Sequence, residues 1–279
     1  MNDLLQLYPT PVRELPLTGA YLAHDLRQYG IQYGRPYIYS DYVTSIDGRI
    51  AIPREDGSGM KVPESTANDR DWRLFQELAA QADLVISSGR YLRDWAEGRA
   101  QEILRIDDPR FADLRQWRED RGLSTYPHIA IISGSLEFPV PDILTANNRK
   151  VIIFTTATAD QERIKEIEDQ AGKVIVAGEQ SVSGIEISRH MAELGYQSVF
   201  NSTGPKVLHL LLEGNALDRL YVTQANKLLG GKPFSSIVEG PLFEPAINLE
   251  INSIYLDQVA LDGLGQLLLS YNIIHSGTL

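Results

Sequence analysis

The sequence predicts an α/β fold with a mainly parallel central sheet, flanked by helices and closed by a C-terminal antiparallel hairpin. Three observations carry that expectation. Short apolar runs without alternation recur along the chain, the pattern of strands covered on both faces. Helical periodicities fall between them, the order that gives a parallel sheet. Near the C-terminus two β-rich segments flank Asp262-Gly263-Leu264-Gly265, a hairpin connection. With 279 residues, 43% of them hydrophobic and 23% charged, the chain is large enough for a sizeable core. It shows no linker, repeat or low-complexity segment, so one domain is expected.

Residues 1–34 carry a Pro-rich opening (Pro9, Pro11, Pro16) and one short amphipathic stretch around Leu22 to Tyr29. They read as an N-terminal arm packed on a main body of residues 35–279. From Arg35 the composition turns aromatic and β-branched and runs to the turn at Asp47-Gly48, a strand. Further strands are expected at Asp83 to Ser87, His128 to Ser133, Val151 to Thr155, Lys173 to Ala177, Ser198 to Asn201 and Arg219 to Gln224. Asn68 to Ala80 is helical, with Trp72, Phe75, Leu78 and Ala79 on one face. Ser183-Gly184-Ile185-Glu186 has the spacing of a capping box that opens a helix ending near Gly195. Pro205 to Glu213 reads as a helix with Pro in its first turn and Gly214 just beyond its end. Ser253 to Leu261 and Gln266 to Ile274 are the hairpin strands.

Composition excludes several functions. The absence of cysteine removes disulfide scaffolds, zinc ribbons, Cys nucleophiles and the His/Cys zinc site of nucleobase deaminases. A net charge of -11, from 26 basic and 37 acidic residues, argues against nucleic acid or anionic membrane as a partner, because such binding rests on clustered Lys and Arg. A local pocket for a small anion stays open. No apolar run approaches the roughly 18 residues of a membrane helix. The opening residues lack the basic and apolar regions of a signal peptide, so a cytoplasmic protein is expected. The five histidines show no metal-ligand spacing, and no metal site is expected. Gly231-Lys232 is not a P-loop, since Asn226 and Pro233 stand where Gly and Ser/Thr are required. Gly57-Ser58-Gly59 and Gly263-Leu264-Gly265 lack the third Gly of a dinucleotide fingerprint.

Two strand-to-helix turns carry more. Leu84-Val85-Ile86 enters Ser87-Ser88-Gly89-Arg90, and Ser198-Val199-Phe200 enters Asn201-Ser202-Thr203-Gly204-Pro205-Lys206. Each puts small residues and free N–H groups at a helix start, where an anion is favoured; each also reads as an ordinary N-cap. Thr44 to Ala51 places Asp47, Gly48 and Arg49 at a strand end, where open α/β sheets bind ligands. A plain turn with an ion pair is the other reading. Asn226 to Lys232 holds paired glycines that permit close backbone approach or simply a tight turn.

As an ordered set these motifs resemble a known family. Arg35-Pro36-Tyr37, Ser45 to Ala51, Ala82 to Gly89, Gly204-Pro205 with Leu208, Leu217 to Leu220 and Leu228 to Gly231 are similar, in order and spacing, to the reductase half of the bacterial bifunctional riboflavin-biosynthesis deaminase/reductase. They are equally similar to its stand-alone pyrimidine reductases. The resemblance spans residues 35 to about 240. It implies a dihydrofolate reductase-like fold, NADPH as hydride donor, a phosphorylated ribosylaminopyrimidine as substrate and a homodimer. It places Asp47 as the catalytic residue that stabilises a cationic imine or relays a proton. Ser88, Gly89, Arg90, Thr203, Gly204, Pro205 and Gly231 would contact the cofactor, and Ser45, Arg49 and Lys61 the substrate. The chain differs from the family pattern at Ser202-Thr203, at Arg90 and near Lys61. The competing readings are a reductase of the same fold acting on another small heterocycle, and a catalytically silent nucleotide-binding protein.

Overall fold

The structure, a computed structural model, describes residues 3–141 and 149–275. Its contacts gather into two compact units. The first comprises residues 1–24, 38–77 and 204–279, the second residues 25–37 and 78–203.

In the first unit the strands are β1 (Leu4–Tyr8), β2 (Arg13–Leu15), β3 (Tyr37–Ser45), β11 (Arg219–Ala225), β12 (Asn248–Asp257) and β13 (Gln266–Ile274), in the spatial order β2-β1-β12-β13-β11-β3. A small ribbon of β4 (Ile52–Pro53) and β5 (Met60–Lys61) stands apart from them. β3 and β11 run parallel from Tyr39↔Arg219 to Ser45↔Ala225, so the turns that follow the two strands emerge side by side. Asp218 pins that register: its carboxylate accepts the Ile38 N–H at 2.7 Å, and its own N–H donates to the Ile38 carbonyl at 2.7 Å. Helix α2 (Asp69–Gln81) contributes its N-terminal part to this unit, and helix α7 (Pro205–Glu213) belongs to it entirely. The Glu77 carboxylate of α2 accepts the N–H groups of Gly19, Tyr21 and Leu22, which ties down the segment after β2.

In the second unit β10 (Ser198–Asn201), β6 (Leu84–Ser88), β7 (His128–Ile132), β8 (Val151–Thr155) and β9 (Gly172–Val176) lie in that order, every neighbouring pair parallel. Helices α1 (Leu26–Tyr33), α3 (Gly89–Ala96), α4 (Ala112–Glu119), α5 (Gln161–Ala171) and α6 (Gly184–Glu193) accompany them. Leu92, Ile129, Ile131, Leu136, Phe138, Val151, Ile153 and Ile167 form one apolar cluster between strands and helices. Arg118, fully buried on α4, donates to the carbonyls of Ala80 and Ala82 at 2.7 and 2.9 Å and to that of Ser124 at 2.8 Å, and so closes the C-terminal end of α2.

The α/β class, the parallel strands and the terminal antiparallel hairpin are as the sequence predicts. Three local expectations are corrected. The strand expected after Arg35 begins at Tyr37, and two strands that the sequence reading did not include, β1 and β2, precede it in the segment read as an arm. Ser183 precedes α6 but makes no side-chain capping bond; Glu186 instead pairs with Arg189 at 2.6 Å, because a guanidinium outcompetes a neutral N–H for a carboxylate. The first hairpin strand is Asn248–Asp257, not Ser253 to Leu261. Pairing already holds at Asn248↔Ile274, and left-handed Leu261 and Asp262 reverse the chain where the apolar Val259 to Leu261 had read as strand. Among the described residues no helix is long and apolar enough to cross a membrane, and no cluster of potential metal ligands occurs.

Candidate functional site

The parallel ends of β3 and β11 create the densest polar network among the predicted site residues. After β3 the chain turns at Gly48, whose φ of +81° is the left-handed conformation that glycine adopts freely. Inside this turn the Ser45 hydroxyl donates to Asp47 Oδ1 at 2.5 Å and accepts the Arg49 N–H at 3.1 Å. Arg49 Nη1 donates to Asp47 Oδ2 at 2.5 Å, and its Nη2 donates to the Gly231 carbonyl at 3.1 Å. From the loop after β11, the N–H groups of Leu229 and Gly230 donate to the Asp47 carboxylate, the latter at 2.8 Å. Phe234 lies 4.3 Å from the Arg49 guanidinium, a cation–π contact.

These donors fix the charge state of Asp47. Its pKa is pulled down to about 2, first by the Ser45 hydroxyl, then by the Gly230 N–H, with Leu229 and Arg49 adding to the effect against a desolvation cost. Asp47 is therefore a permanent carboxylate at any working pH. Arg49 Nε is buried with no hydrogen-bond partner among the described residues, a spare donor within the network.

The two helix starts differ. At α7 the backbone of Gly204 is extended (φ -78°, ψ -179°), and a Cβ built there meets nothing within 4 Å. Pro205 has no N–H, and those of Gly204 and Lys206 donate to no group among the described residues, which suits an anion. At α3 the Ser88 hydroxyl accepts the Tyr91 N–H at 3.4 Å, an N-cap. A Cβ on Gly89 would come 2.8 Å from Phe138 Cδ1, so packing inside the unit already demands glycine there. Arg90 pairs with Asp94 at 3.5 Å with its side chain 45% exposed, the i,i+4 ion pair of an open helix face. Thr203 turns its hydroxyl onto Asn201 Oδ1 at 2.6 Å.

The structure thus joins Ser45, Asp47, Arg49 and Gly231 in one network. Lys61 stands outside it, on β5, 3.4 Å from Glu64. Sequence reasoning missed Leu229, Gly230 and Phe234 as partners of Asp47 and Arg49; the paired glycines were the visible signal, but the carboxylate they serve is far away in the chain.

An α/β architecture of this kind is found in solved pyrimidine reductases and proteins like them. The chain superposes on a pyrimidine reductase-like protein from Corynebacterium diphtheriae with a TM-score of 0.65 at 19% identity, covering 86% of this chain and 93% of that one. It superposes on the riboflavin biosynthesis reductase Rib7 of Saccharomyces with a TM-score of 0.55 at 14% identity, covering 92% and 99%. In sequence, the family model of the RibD C-terminal domain matches residues 36–259, and the chain belongs to that family. A relative is the 2,5-diamino-6-ribosylamino-4(3H)-pyrimidinone 5′-phosphate reductase of Methanothermobacter thermautotrophicus, 23% identical over 224 residues, which is 79% of this chain and 93% of that protein.

Proposed function

We propose that this protein reduces a phosphoribosylaminopyrimidine, 5-amino-6-(5-phosphoribosylamino)uracil or a close relative, to its ribitylamino form with NADPH. Membership of the RibD C-terminal domain family over residues 36–259 is the observation that carries the reading. When bound, NADPH supplies the hydride that adds to C1′ of the open, imine form of the sugar.

The chain's own groups fit that role. The open start of α7 at Gly204, Pro205 and Lys206 accepts a phosphate oxygen on the Gly204 and Lys206 N–H groups. Ser88, Gly89, Arg90, Thr203 and Gly231 complete the cofactor contacts, with Arg90 directed to the 2′-phosphate. Asp47, held ionised, stabilises positive charge on the imine nitrogen without moving. With so low a pKa it does not itself carry a proton. Arg49, Ser45 and Lys61 hold the substrate, the two cations toward its phosphate. Residues 1–34 precede the reductase body of residues 35–279 and add β1 and β2 to the sheet of its first unit, and the protein acts in the cytoplasm as a homodimer. Leu249 and Ile251, each more than 40% exposed on one face of the terminal hairpin, offer apolar surface for the second copy.

The test is an assay of NADPH oxidation with the deaminated and the undeaminated phosphoribosylaminopyrimidines and with dihydrofolate. Oxidation with a phosphoribosylaminopyrimidine and a ribitylamino product two mass units heavier than the substrate is expected. Oxidation with dihydrofolate alone would move the protein to another heterocycle, and NADPH binding without any turnover would make it a silent nucleotide binder.

A further inference from the structure

In the first unit, one face of β3 and β11 carries Asp41 and meets Asp71 of α2, two carboxyl groups that the proposed reaction does not use. Side chains alternate along strands, so Asp41, Val43 and Ser45 share a face of β3, in register with Tyr221, Thr223 and Ala225 of β11. Asp71, in the first turn of α2, reaches this face and accepts a hydrogen bond from the Thr223 hydroxyl. Asp41 takes one bond from the Tyr42 N–H, but its Oδ1 is buried and has no hydrogen-bond partner among the described residues.

The cations nearby are committed elsewhere. On α2, Arg70 pairs with Asp257 at 2.7 Å and Arg73 with Glu77 at 2.8 Å. Arg219 of β11 donates to Asn272 at 3.0 Å, and His24 is bonded to the Tyr221 and Tyr255 hydroxyls at 2.7 and 3.0 Å. The remaining titratable neighbours are phenols: Tyr21 from the N-terminal segment, Tyr221 and Tyr255. Asp41 and Asp71 are each half-buried, and two partly desolvated carboxylates without a cation beside them repel, so the second of their protons leaves only at raised pH. A single proton placed between them supplies the donor that the orphan oxygen of Asp41 lacks.

We propose that Asp41 and Asp71 hold one proton between them at neutral pH, and that this proton fastens the N-terminal part of α2 to β3 and β11. Burial raises both carboxyls, Asp71 to about 6, and the Asp71 charge raises Asp41 further. For acids whose folded pKa is raised, the stabilisation is complete below the ordinary carboxylate range. It is lost as pH climbs through the folded values, here from about 4 to about 6 and beyond. Full ionisation sets like charges against each other beside Thr223. β3 then transmits the loss to Ser45, whose hydroxyl holds Asp47. The pair acts on the turn through the strand, as a positioning device independent of which substrate is bound.

The experiment is a carbon NMR titration of the full chain labelled at the aspartate carboxyl carbon, with amide exchange followed in parallel. The expected result is an aspartate step near or above pH 6, against the usual value of about 3.9. Asp41→Asn should abolish the higher step and leave that of Asp71 near pH 6, because Asp41 is still uncharged when Asp71 ionises. Thr223→Val, a milder change that removes only the hydroxyl donor, should move the Asp71 step upward. Exchange in Asp69–Glu77, corrected for its intrinsic pH dependence, should accelerate across the same step in the wild type. All aspartates titrated by about pH 5 in the wild type, or α2 exchange unaffected by the step, would overturn the proposal. The wild-type titration and Thr223→Val decide it even where Asp41→Asn does not fold, and neither depends on enzymatic turnover.

Discussion

The Gly230 N–H donates to Asp47 Oδ2 at 2.8 Å across 183 positions of sequence, so the turn after β3 and the loop after β11 share one charged hydrogen bond. Asp47 is thereby both the structural centre of its network and the residue proposed to face the reacting carbon. Replacing it tests both roles. Asp47→Asn retains one acceptor oxygen but loses the charge and the second oxygen that Arg49 and Gly230 use. Turnover at saturating substrate is expected to fall about 10²-fold or more, with NADPH affinity little changed. Ser45→Ala, which removes one donor and leaves the charge, should cost far less in single-turnover hydride transfer. Equal losses in the two variants would reduce Asp47 to a loop anchor.

Gly89 and Gly204 are both placed at helix starts, but the space around them predicts opposite outcomes. At Gly89 a Cβ meets Phe138 at 2.8 Å, so Gly89→Ala should destabilise the fold by roughly 1 to 3 kcal/mol through overpacking. A smaller partner, Phe138→Leu, should recover part of that in a double-mutant cycle read by chemical denaturation. Additive effects would mean that the two side chains do not compete for the space.

Gly204→Ala, by contrast, should leave the unfolding midpoint unchanged, since the added Cβ enters open space. If the α7 start receives the cofactor's phosphate, the methyl group obstructs close approach. NADPH binding by calorimetry should then weaken about tenfold, or about 1.4 kcal/mol. Wild-type affinity in the folded variant would remove Gly204 from the cofactor site.

Arg90 stands in an exposed ion pair with Asp94, which is worth about 0.3 to 0.5 kcal/mol at most. Arg90→Ala should therefore leave stability nearly intact while lowering the preference for NADPH over NADH. Comparing the two dissociation constants in wild type and variant measures this directly, and an unchanged ratio assigns the arginine to the helix surface alone.

His24 makes stability acid-sensitive. Burial, with a smaller contribution from Arg219, lowers its pKa to about 3. The unfolded chain takes up this proton near pH 6.5 while the folded chain refuses it, so stability is full above about 6.5 and lost as pH falls toward about 3. The complete loss is on the order of 5 kcal/mol at 1.36 kcal/mol per unit. Urea midpoints at pH 7 and pH 4.5 should differ in the wild type and differ less in His24→Gln.

Much of the architecture was legible because it is encoded locally. Apolar runs, helical periodicity and turn residues depend on near neighbours, so the alternation of strands and helices, the Pro205–Glu213 helix and the turn at Asp47-Gly48 could be placed from sequence. The Ser183 capping box and the end of the first hairpin strand failed for the same reason. Spacing offered one local partner, whereas Arg189 beside Glu186 and the left-handed Leu261 and Asp262 decided otherwise.

The sequence by itself determined that the chain is an acidic, cysteine-free α/β protein with a charged turn at one strand end and glycine-marked helix starts. Tertiary structure alone decided what those residues touch. The parallel register of β3 and β11 brings Leu229 and Gly230 to Asp47 and makes it a permanent carboxylate. Packing against Phe138 requires glycine at position 89. Asp41 and Asp71 are 30 positions apart on separate elements, and only the fold brings the charge of one to bear on the other. Charge state and hydrogen-bond partnership depend on groups close in space, and the chain brings those together only when it folds.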